Sequence, residues 1–532
     1  MTLNKDPPQV EKRAPLYQSD CHATSGADMT QLISFDGQPL TIEHVAALSR
    51  RSAEGRLSHD STFLARIEAG SAHVARTLAQ QGVIYGVTTG YGDSVTVPVP
   101  MELVPELPQH LYTYHGVGLG PVFNPVETRA ILAARLQSLS QGMSGVTVTL
   151  LRQLERLLVD DLLPVIPSEG SVGASGDLTP LSYVAAVLCG EREVFVDGVR
   201  RPTAEVFKER GIVPLRLQPK EGLAIMNGTA VMTGLACLAY ERAAALSRLS
   251  ARLTAMASAA MGGNPHHFDE LLHSAKPHLG QQRVAKWIRE ELAGGERTES
   301  RLQDRYSIRC APHVIGVVED ALPFLRSLIE NELNSANDNP LIDPDSGKVM
   351  HGGHFYGGHV ALAMDTLKNV IANLADLMDR QLALLVDTRF NHGLPSNLTG
   401  ATGQRAAISH GLKALQISVS AWTAEALKGT MPASVFSRST ECHNQDKVSL
   451  GTIAARDALR VIELTEQVAA GHLFAARQAV FLKARTGAKL PHKVTEYADA
   501  LELQPLIEDR ALELELRALL VRMRSFSLPG QG

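Results

Sequence analysis

Aromatic residues are scarce in this chain, and cysteines are scarcer still. Of its 532 residues, 5% are Phe, Trp or Tyr, whereas 44% are hydrophobic in total. The core must therefore consist mainly of aliphatic side chains. Alanine and leucine, which are abundant, favour helices, while strands are enriched in aromatic and β-branched residues. The composition predicts a largely helical protein with a sizeable core.

The low net charge and the spacing of the cysteines exclude several classes of protein. The formal net charge is -5, which gives no reason to expect a nucleic acid as partner. The five cysteines form no Cys-x-x-Cys pair, which suits a reducing compartment better than a disulfide framework. Residues 1–20 lack the apolar segment of a signal peptide, and no hydrophobic run approaches the ~18 residues of a membrane helix. We therefore expect a cytoplasmic protein without a membrane partner.

The order of the predicted elements divides the chain into three parts. Residues 1–30 are polar and predict a disordered tail. Residues 31–220 mix helices with short strands, and two Asp-Gly pairs, at positions 36–37 and 197–198, each predict a hairpin. Residues 221–532 contain long stretches of helical periodicity, including 357–387 and 447–484. Such helices pack into bundles, so the predicted fold is all-α, a long-helix bundle with a smaller mixed N-terminal domain.

A loop of small residues, GSVGASGD at positions 170–177, is the most distinctive local feature. Its glycines let backbone approach backbone. In a tight turn, the amide nitrogen of Gly176 could attack the carbonyl carbon of Ala174. Loss of water there and from Ser175 would leave a five-membered ring with an exocyclic alkene, an electrophile that no standard side chain supplies. Taken alone, such a loop before a helix is more often a plain turn or an anion site.

Two histidine clusters raise the alternative of a metal-dependent enzyme. Neither has a HExxH pattern or a nearby cysteine pair. We therefore predict no metal site, and we expect these side chains to cap helices, bind backbone groups or shape a cavity. The clusters are HGGHFYGGH, with His351, His354 and His359, and PHHFDELLHSAKPH, with His266, His267, His273 and His278.

Several other polar residues suit either chemistry or ordinary structure. Tyr85 follows two apolar residues, so we expect a half-buried side chain in a functional loop. Tyr306 and Arg309 are three residues apart, and the arginine could clamp a carboxylate or form a surface ion pair. Asn227 precedes a long apolar helix that it could simply cap. His115, beside a Gly-x-Gly, suits a pocket or a core position equally well.

Six motifs, in order along the chain, resemble those of one family. They are YGVTTGYG, GASGDLTPL, GLAIMNGT, QDRYSIRC, ELNSANDNP and NQDKVSLG. Together they resemble the aromatic amino acid lyases: the histidine, tyrosine and phenylalanine ammonia-lyases and the related 2,3-aminomutases. The resemblance covers about residues 30–500. It implies the all-α fold of the ammonia-lyase/fumarase type and a homotetramer whose active sites each draw on three chains. The length resembles bacterial members, without the C-terminal extension of plant and fungal ones.

The resemblance also implies roles for individual residues. Ala174, Ser175 and Gly176 would cyclise to 4-methylidene-imidazole-5-one, with no external cofactor and no metal. Tyr85 matches the catalytic base of an ammonia elimination, although a tyrosine with an unperturbed pKa of about 10 needs help to ionise. Other positions match neighbours of the base (Gly92, Tyr306), supports of the ring (Asn227, Phe355) and contacts of the substrate (Tyr114, His115, Gln303, Arg309, Asn337, Gln445).

Two positions bear on the identity of the substrate. In the family, the pair matched by Tyr114 and His115 faces the aromatic side chain, and a histidine there can bond a phenol hydroxyl. Gln445 stands where histidine lyases usually carry glutamate. We therefore predict the conversion of L-tyrosine into trans-4-coumarate, a phenylpropanoid. A histidine ammonia-lyase that makes urocanate, a phenylalanine lyase, an aromatic 2,3-aminomutase and a helical scaffold without catalysis remain alternatives.

Overall fold

The structure is a computed structural model that describes residues 31–80, 82–295 and 302–530. The predicted disordered tail, residues 1–30, lies outside the described residues. Within these ranges, no helix is both long enough and apolar enough to span a bilayer.

The N-terminal part combines helices with three small sheets. Its strands are β1 (Gln31–Phe35), β2 (Ala53–Leu57), β3 (Leu119–Val122), β4 (Leu163–Pro164), β5 (Pro167–Glu169), β6 (Glu193–Val196) and β7 (Val199–Pro202). Its helices are α1 (Ile42–Arg50), α2 (Ser61–Ala79), α3 (Leu107–Tyr114), α4 (Pro125–Leu139), α5 (Val148–Val159), α6 (Leu178–Leu188) and α7 (Thr203–Glu209).

One predicted hairpin is wrong and the other is confirmed. β1 pairs in parallel with β2, and α1 forms the crossover between them. Thr41 caps α1 by accepting a hydrogen bond from His44 N, so the chain after Asp36-Gly37 enters a helix and not a return strand. β6 and β7 pair antiparallel, and both turn residues, Asp197 and Gly198, have positive φ, 50° and 76°, as a tight two-residue hairpin requires.

Long helices dominate the rest of the chain. The helices of this part, long and short, are α8 (Glu221–Met226), α9 (Ala230–Ala260), α10 (Glu270–Ser274), α11 (Leu279–Glu291), α12 (Tyr306–Arg309), α13 (Ala311–Leu333), α14 (Gly358–Val386), α15 (Lys413–Lys428), α16 (Gly451–Ala484), α17 (His492–Ala500) and α18 (Glu513–Arg524). Strands β8 (Leu341–Ile342) and β9 (Val349–Met350) pair antiparallel in the connection before α14.

Helices α9, α13, α14 and α16 pack on one another and form the bundle. Small residues also let α9 approach α4 of the N-terminal part: a Cβ built on Gly234 of α9 would lie 2.8 Å from backbone atoms of Ala130 of α4, so these two helices touch backbone to backbone. The predicted helices at 357–387 and 447–484 are confirmed as α14 and α16, and the all-α bundle is confirmed with them. The domain boundary near residue 220 stays a prediction.

Candidate active site

The small-residue loop, residues 170–177, connects β5 with α6 and lies against the start of α9. Gly173 and Gly176 have φ values of 66° and 71°, which L-residues with side chains rarely adopt. A Cβ built on Gly176 would lie 2.0 Å from the carbonyl oxygen of Gly228. Only glycine therefore fits at position 176, and the loop backbone lies directly on the chain that leads into α9.

The carbonyl oxygen of Ser175 lies between two hydrogen-bond donors. Asn227 Nδ2 donates to it at 3.0 Å and the amide nitrogen of Gly228 at 3.2 Å. On the other side, Gln445 Nε2 donates to the Ser175 hydroxyl at 3.2 Å. Asn227 is therefore not the cap of α9, which follows Thr229. It is the C-terminal cap of α8, and its side chain is turned to the loop.

Asp177, which sequence reasoning missed, anchors the end of the loop. Its Oδ2 accepts hydrogen bonds from the amides of Val231 and Met232, each at 3.0 Å, and its Oδ1 accepts from Thr452 Oγ1 and from Ser171 Oγ. Burial raises the pKa of Asp177 to about 6, although these bonds act in the opposite direction. The carboxylate thus ties the loop to the N-terminal ends of α9 and α16. Its position directly after Gly176 was the signal available in the sequence.

Tyr85 and Gly92 lie on one loop, residues 82–96, which we call the Tyr85 loop. The amide nitrogen of Gly92 donates to the Tyr85 hydroxyl oxygen at 2.7 Å. Burial raises the pKa of Tyr85, the Gly92 amide lowers it and the carboxylate of Glu441 raises it. The predicted half-buried tyrosine is confirmed. The phenol is neutral in this chain at neutral pH, and its phenolate would be a strong base with one amide donor already in place.

A strained turn at residues 440–445 brings Gln445 to Ser175 and Glu441 to Asp93 of the Tyr85 loop. Glu441, Cys442 and His443 have φ values of 51°, 51° and 67°, an unfavourable conformation for residues with side chains. Glu441 Oε1 accepts from the amide of Asp93 at 3.0 Å. Sequence reasoning missed Glu441, whose available signal was a titratable side chain four positions before Gln445.

The pair Tyr114 and His115 lies at the end of α3, with ring centroids 4.4 Å apart. His115 Nδ1 is 2.8 Å from the carbonyl oxygen of Leu111. A carbonyl can only accept, so Nδ1 carries the proton and Nε2 keeps a lone pair. Burial lowers the pKa of His115, which keeps the ring neutral. Tyr91 is a residue of the Tyr85 loop. Burial is the main cause of its raised pKa, and Tyr114 and Tyr85 add to it, so Tyr114 lies beside this loop.

Asn337 lies behind the loop, where its side-chain oxygen supports the chain at Gly228. Asn337 is buried, and its Oδ1 accepts from Arg135 Nη1 at 3.3 Å, from Ser138 Oγ at 3.2 Å and from the amide of Thr229 at 3.3 Å. This oxygen is thus fully used within the chain.

Four predicted residues lie on segments outside this cluster. Tyr306 is 72% exposed on α12, and the Arg309 guanidinium lies 4.7 Å from its ring centroid. Arg309 Nε donates to the carbonyl oxygen of Asp304 at 2.9 Å, and no hydrogen bond or ring contact among the described residues joins either side chain to the loop. Gln303 is exposed on the same segment, and Phe355 is half-buried before α14.

The histidines that raised a metal alternative bind backbone groups or lie exposed. His267 Nε2 accepts from the amide of Asp304 at 2.9 Å, and His273 Nε2 lies 3.0 Å from the carbonyl oxygen of His267. His351, His354 and His359 are exposed. Within the described parts of the chain, no group of three or more His, Cys, Asp or Glu side chains has the geometry of a metal site.

The residues of the loop fit the predicted ring. Gly176 has no side chain to oppose closure, and the Ser175 carbonyl, which would become the ring carbonyl, already has two N–H donors. The Ser175 hydroxyl that must leave as water is only half-buried and contacts an uncharged donor, Gln445.

Comparisons with known proteins identify the family. The family model described as aromatic amino acid lyase matches residues 40–501. The chain is 37% identical to a histidine ammonia-lyase of Bacillus velezensis over 453 residues, 84% of this chain and 87% of that one. It is 35% identical to a tyrosine ammonia-lyase of Cupriavidus metallidurans over 518 residues, 93% and 96% of the two chains.

A solved structure shares the fold over nearly the whole chain. The tyrosine aminomutase from Streptomyces globisporus superposes with a TM-score of 0.86 and 34% identity, covering 93% of this chain and 97% of the other. Family model, relatives and fold thus agree with the family that the six motifs indicate. The chain belongs to the aromatic amino acid lyase family, and it is a carbon–nitrogen lyase.

Proposed function

We propose that this protein is a tyrosine ammonia-lyase that converts L-tyrosine into trans-4-coumarate and ammonia in the cytoplasm. Its electrophile would be 4-methylidene-imidazole-5-one, formed from Ala174, Ser175 and Gly176 without an external cofactor. That ring supplies the electrophilic carbon that takes up the substrate amino group and makes it able to leave. The observation that carries the choice of tyrosine is the tautomer of His115, whose Nε2 is free to accept a hydrogen bond.

Tyr85 is the group that removes the β-proton. The β-carbon of an amino acid is barely acidic, so the base must be strong and must lie against the substrate. Burial and Glu441 raise the pKa of Tyr85, which makes its phenolate a strong acceptor once formed. The amide of Gly92, 2.7 Å from the hydroxyl oxygen, orients that oxygen and stabilises its negative charge.

His115 recognises the phenol of the substrate. With Nδ1 bonded to Leu111, Nε2 accepts a hydrogen bond from a phenol hydroxyl. Phenylalanine would leave this half-buried acceptor unpaired, at a cost in binding. Gln445 is uncharged, so it offers no carboxylate to an imidazole substrate.

A homotetramer with shared active sites completes the site. Substrate binding needs a cation for the carboxylate, and Arg309 is the predicted clamp. Tyr306 on the same helix is 72% exposed, as suits a side chain that projects into the site of a neighbouring copy. Large apolar side chains are also exposed along the long helices, as expected of surfaces that pack against other chains; they include Val317, Phe324, Leu362 and Ile417.

Histidine ammonia-lyase is the second candidate, and one contact favours it. The Glu441 carboxylate lies over Gly92 and bonds the Asp93 amide, close enough to His115 to act on its pKa. A carboxylate there could pair with an imidazole substrate. An aminomutase, which would return the amino group to the β-carbon, uses the same machinery.

A substrate panel tests the proposal. Purified protein is incubated with L-tyrosine, L-phenylalanine and L-histidine, while ultraviolet absorbance follows the arylacrylate and chromatography follows amino acid products. We expect the highest kcat/KM for L-tyrosine. Urocanate formed at a higher kcat/KM would transfer the assignment to histidine, and β-tyrosine as the main product would make the protein an aminomutase. An intact mass without the loss of two water molecules would contradict the ring.

A further inference from the structure

A buried arginine without a carboxylate partner lies behind the small-residue loop. Arg135, on α4, is 0% exposed. Its Nη1 donates to the backbone oxygen of Asn227 at 3.2 Å and to Asn337 Oδ1 at 3.3 Å, both of them uncharged acceptors. Its Nε and Nη2 have no hydrogen-bond partner among the described residues. Burial lowers the pKa of Arg135 to about 10, so the side chain is still a cation at neutral pH.

The nearest acidic side chains are already bound to other groups. Asp338 forms a buried ion pair with Lys220, and the Asp177 carboxylate accepts from two amides and two hydroxyls. Neither makes a hydrogen bond to Arg135. A buried charge without a direct counter-ion is destabilising, so stability does not account for this arginine.

A single peptide group, Asn227–Gly228, connects Arg135 with the Ser175 carbonyl oxygen through hydrogen bonds at its two ends. The carbonyl of Asn227, which accepts from Arg135, and the amide of Gly228, which donates to Ser175 at 3.2 Å, belong to the same peptide bond. A cation at one end of a hydrogen-bonded chain polarises each bond along it. The N–H of Gly228 is therefore a stronger donor than an ordinary amide, and its acceptor is the carbonyl of the reactive serine.

Close packing keeps this chain of contacts short. A Cβ on Gly228 would lie 2.2 Å from Arg135 Nη1 and 2.4 Å from Asn337 Oδ1, and a Cβ on Gly176 would lie 2.0 Å from the Gly228 carbonyl oxygen. Two glycines thus leave no side chain between the guanidinium and the loop. Gly228 also has a φ of 136°, which side-chain-bearing residues rarely adopt.

We propose that Arg135 is a positioning residue that polarises the Ser175 carbonyl through the Asn227–Gly228 peptide group. The inference rests on the proposed function, because its object is the serine that forms the ring. When Ser175 loses water, its Cα–H and Cβ–Oγ bonds break, a carbon–carbon double bond forms, and the proton and hydroxide leave together as water. Negative charge develops on the adjacent carbonyl oxygen as the proton departs, and Arg135 stabilises that charge. The same polarisation draws electrons from the finished alkene and makes it more electrophilic.

The test measures dehydration and electrophilicity separately from turnover. Arg135→Gln removes the charge, Arg135→Lys keeps it, and Asn337→Asp places a carboxylate beside Nη1 and neutralises it in position. Arg129→Gln is the matched control, because Arg129 is a buried arginine of the same helix that is paired with Asp161 at 2.7 Å. Refolded proteins are followed by intact mass for the loss of two waters. They are then treated with borohydride, which transfers hydride to the exocyclic alkene carbon, while the former Ser175 Cα takes a proton from water.

We expect Arg135→Gln and Asn337→Asp to slow dehydration and hydride addition by about tenfold. This effect is smaller than that of removing a direct oxyanion donor. Arg135→Lys should recover much of both rates. Asn337→Asp gives up the hydrogen bonds that Nδ2 donates to Ser335 but pairs a buried charge. Slow dehydration in a variant that keeps the thermal midpoint of the wild type would therefore separate polarisation from packing. Arg129→Gln should dehydrate at the wild-type rate even where it is less stable.

Two results would overturn the role of Arg135. One is a wild-type rate of dehydration and hydride addition in Asn337→Asp, together with the same result in whichever Arg135 variants fold. The other is an equal slowing in Arg129→Gln, which would make the effect one of general stability. Failure of the proposed function looks different, since the wild-type chain itself would then keep both waters.

Discussion

A Cβ atom built on Gly92 would lie 1.7 Å from the Oε1 atom of Glu441. The Tyr85 loop and the 440–445 turn therefore touch at a position where any side chain would displace the Glu441 carboxylate. Because the same turn delivers Gln445 to Ser175, one contact aligns the proposed base with the proposed electrophile. Residues separated by 348 positions, Asp93 and Glu441, complete that contact through a hydrogen bond.

Gly92→Ala should abolish most activity without preventing the dehydration of Ser175. The added methyl group displaces either Glu441 or the amide that holds Tyr85, and the loss of a positioned base costs on the order of 10²–10⁴ in kcat. Gly211→Ala is the control, since Gly211 also has positive φ, 62°, but has nothing within 4 Å of a Cβ. Turnover assays and intact mass check both variants. Full activity in Gly92→Ala would contradict the assignment of the Tyr85 loop.

Glu441→Gln should move the pH dependence of kcat/KM for L-tyrosine to lower pH. Tyr85 acts as a base only when deprotonated, so activity rises with pH as the phenol ionises. Burial is the main cause of its raised pKa and Glu441 adds to it, so removing this negative charge lowers the pKa and the rise begins earlier. The glutamine can still accept from the Asp93 amide. Glu425→Gln, at an exposed ion pair with Arg460, should leave the profile unchanged, and a profile of Glu441→Gln moved to higher pH would refute this account.

His115→Leu should reduce the preference for L-tyrosine over L-phenylalanine. The variant loses the Nε2 acceptor for the phenol hydroxyl, and one such hydrogen bond corresponds to about ten- to a hundredfold in the ratio of kcat/KM values. His110→Leu changes an exposed histidine of the same helix and should leave the ratio unaltered. Competition assays with both amino acids measure it. An unchanged ratio in His115→Leu would remove His115 from substrate recognition.

Ser175→Ala should fold normally and have no measurable turnover. The alanine has no hydroxyl to lose, so the intact mass should equal that of the unmodified variant chain. The side chain gives up only one hydrogen bond, from Gln445, so the thermal midpoint should stay close to that of the wild type. Residual activity within about a hundredfold of the wild type would show that the electrophile is made elsewhere, since such a loss is no more than that of one oxyanion donor.

Mixing two inactive variants should restore activity if active sites are shared between chains. Tyr85→Phe and Tyr306→Phe are each expected to be inactive. In a randomly mixed homo-oligomer, about a quarter of the sites would combine an intact Tyr85 from one copy with an intact Tyr306 from another. Co-expression followed by assay of the mixed oligomer measures this recovery. Activity that never exceeds that of the separate variants would mean that both tyrosines act within one chain.

Some features of the site could be predicted because they are local. Gly173 and Gly176 predict a tight loop because glycine adopts backbone conformations that other residues rarely adopt. The Asp197-Gly198 hairpin could be predicted because its turn consists of these two residues alone. The helical periodicity of 357–387 and 447–484 needs no information beyond neighbouring turns. The hairpin predicted at Asp36-Gly37 was wrong because β1 pairs with β2, whose residues 53–57 lie beyond helix α1. A local turn motif carries no information about a partner strand that far along the chain.

The sequence by itself determined the helical bundle and the family, and it contains the Ala-Ser-Gly tripeptide that we propose forms the ring, because helical periodicity and ordered motifs are properties of short stretches. The tertiary structure alone decided which residues surround Ser175. Asn227 donates to Ser175 across 52 positions and Gln445 across 270, while Arg135 donates to the backbone oxygen of Asn227 across 92. Such contacts arise only when long helices pack, because burial brings distant polar groups together and forces each to find a partner.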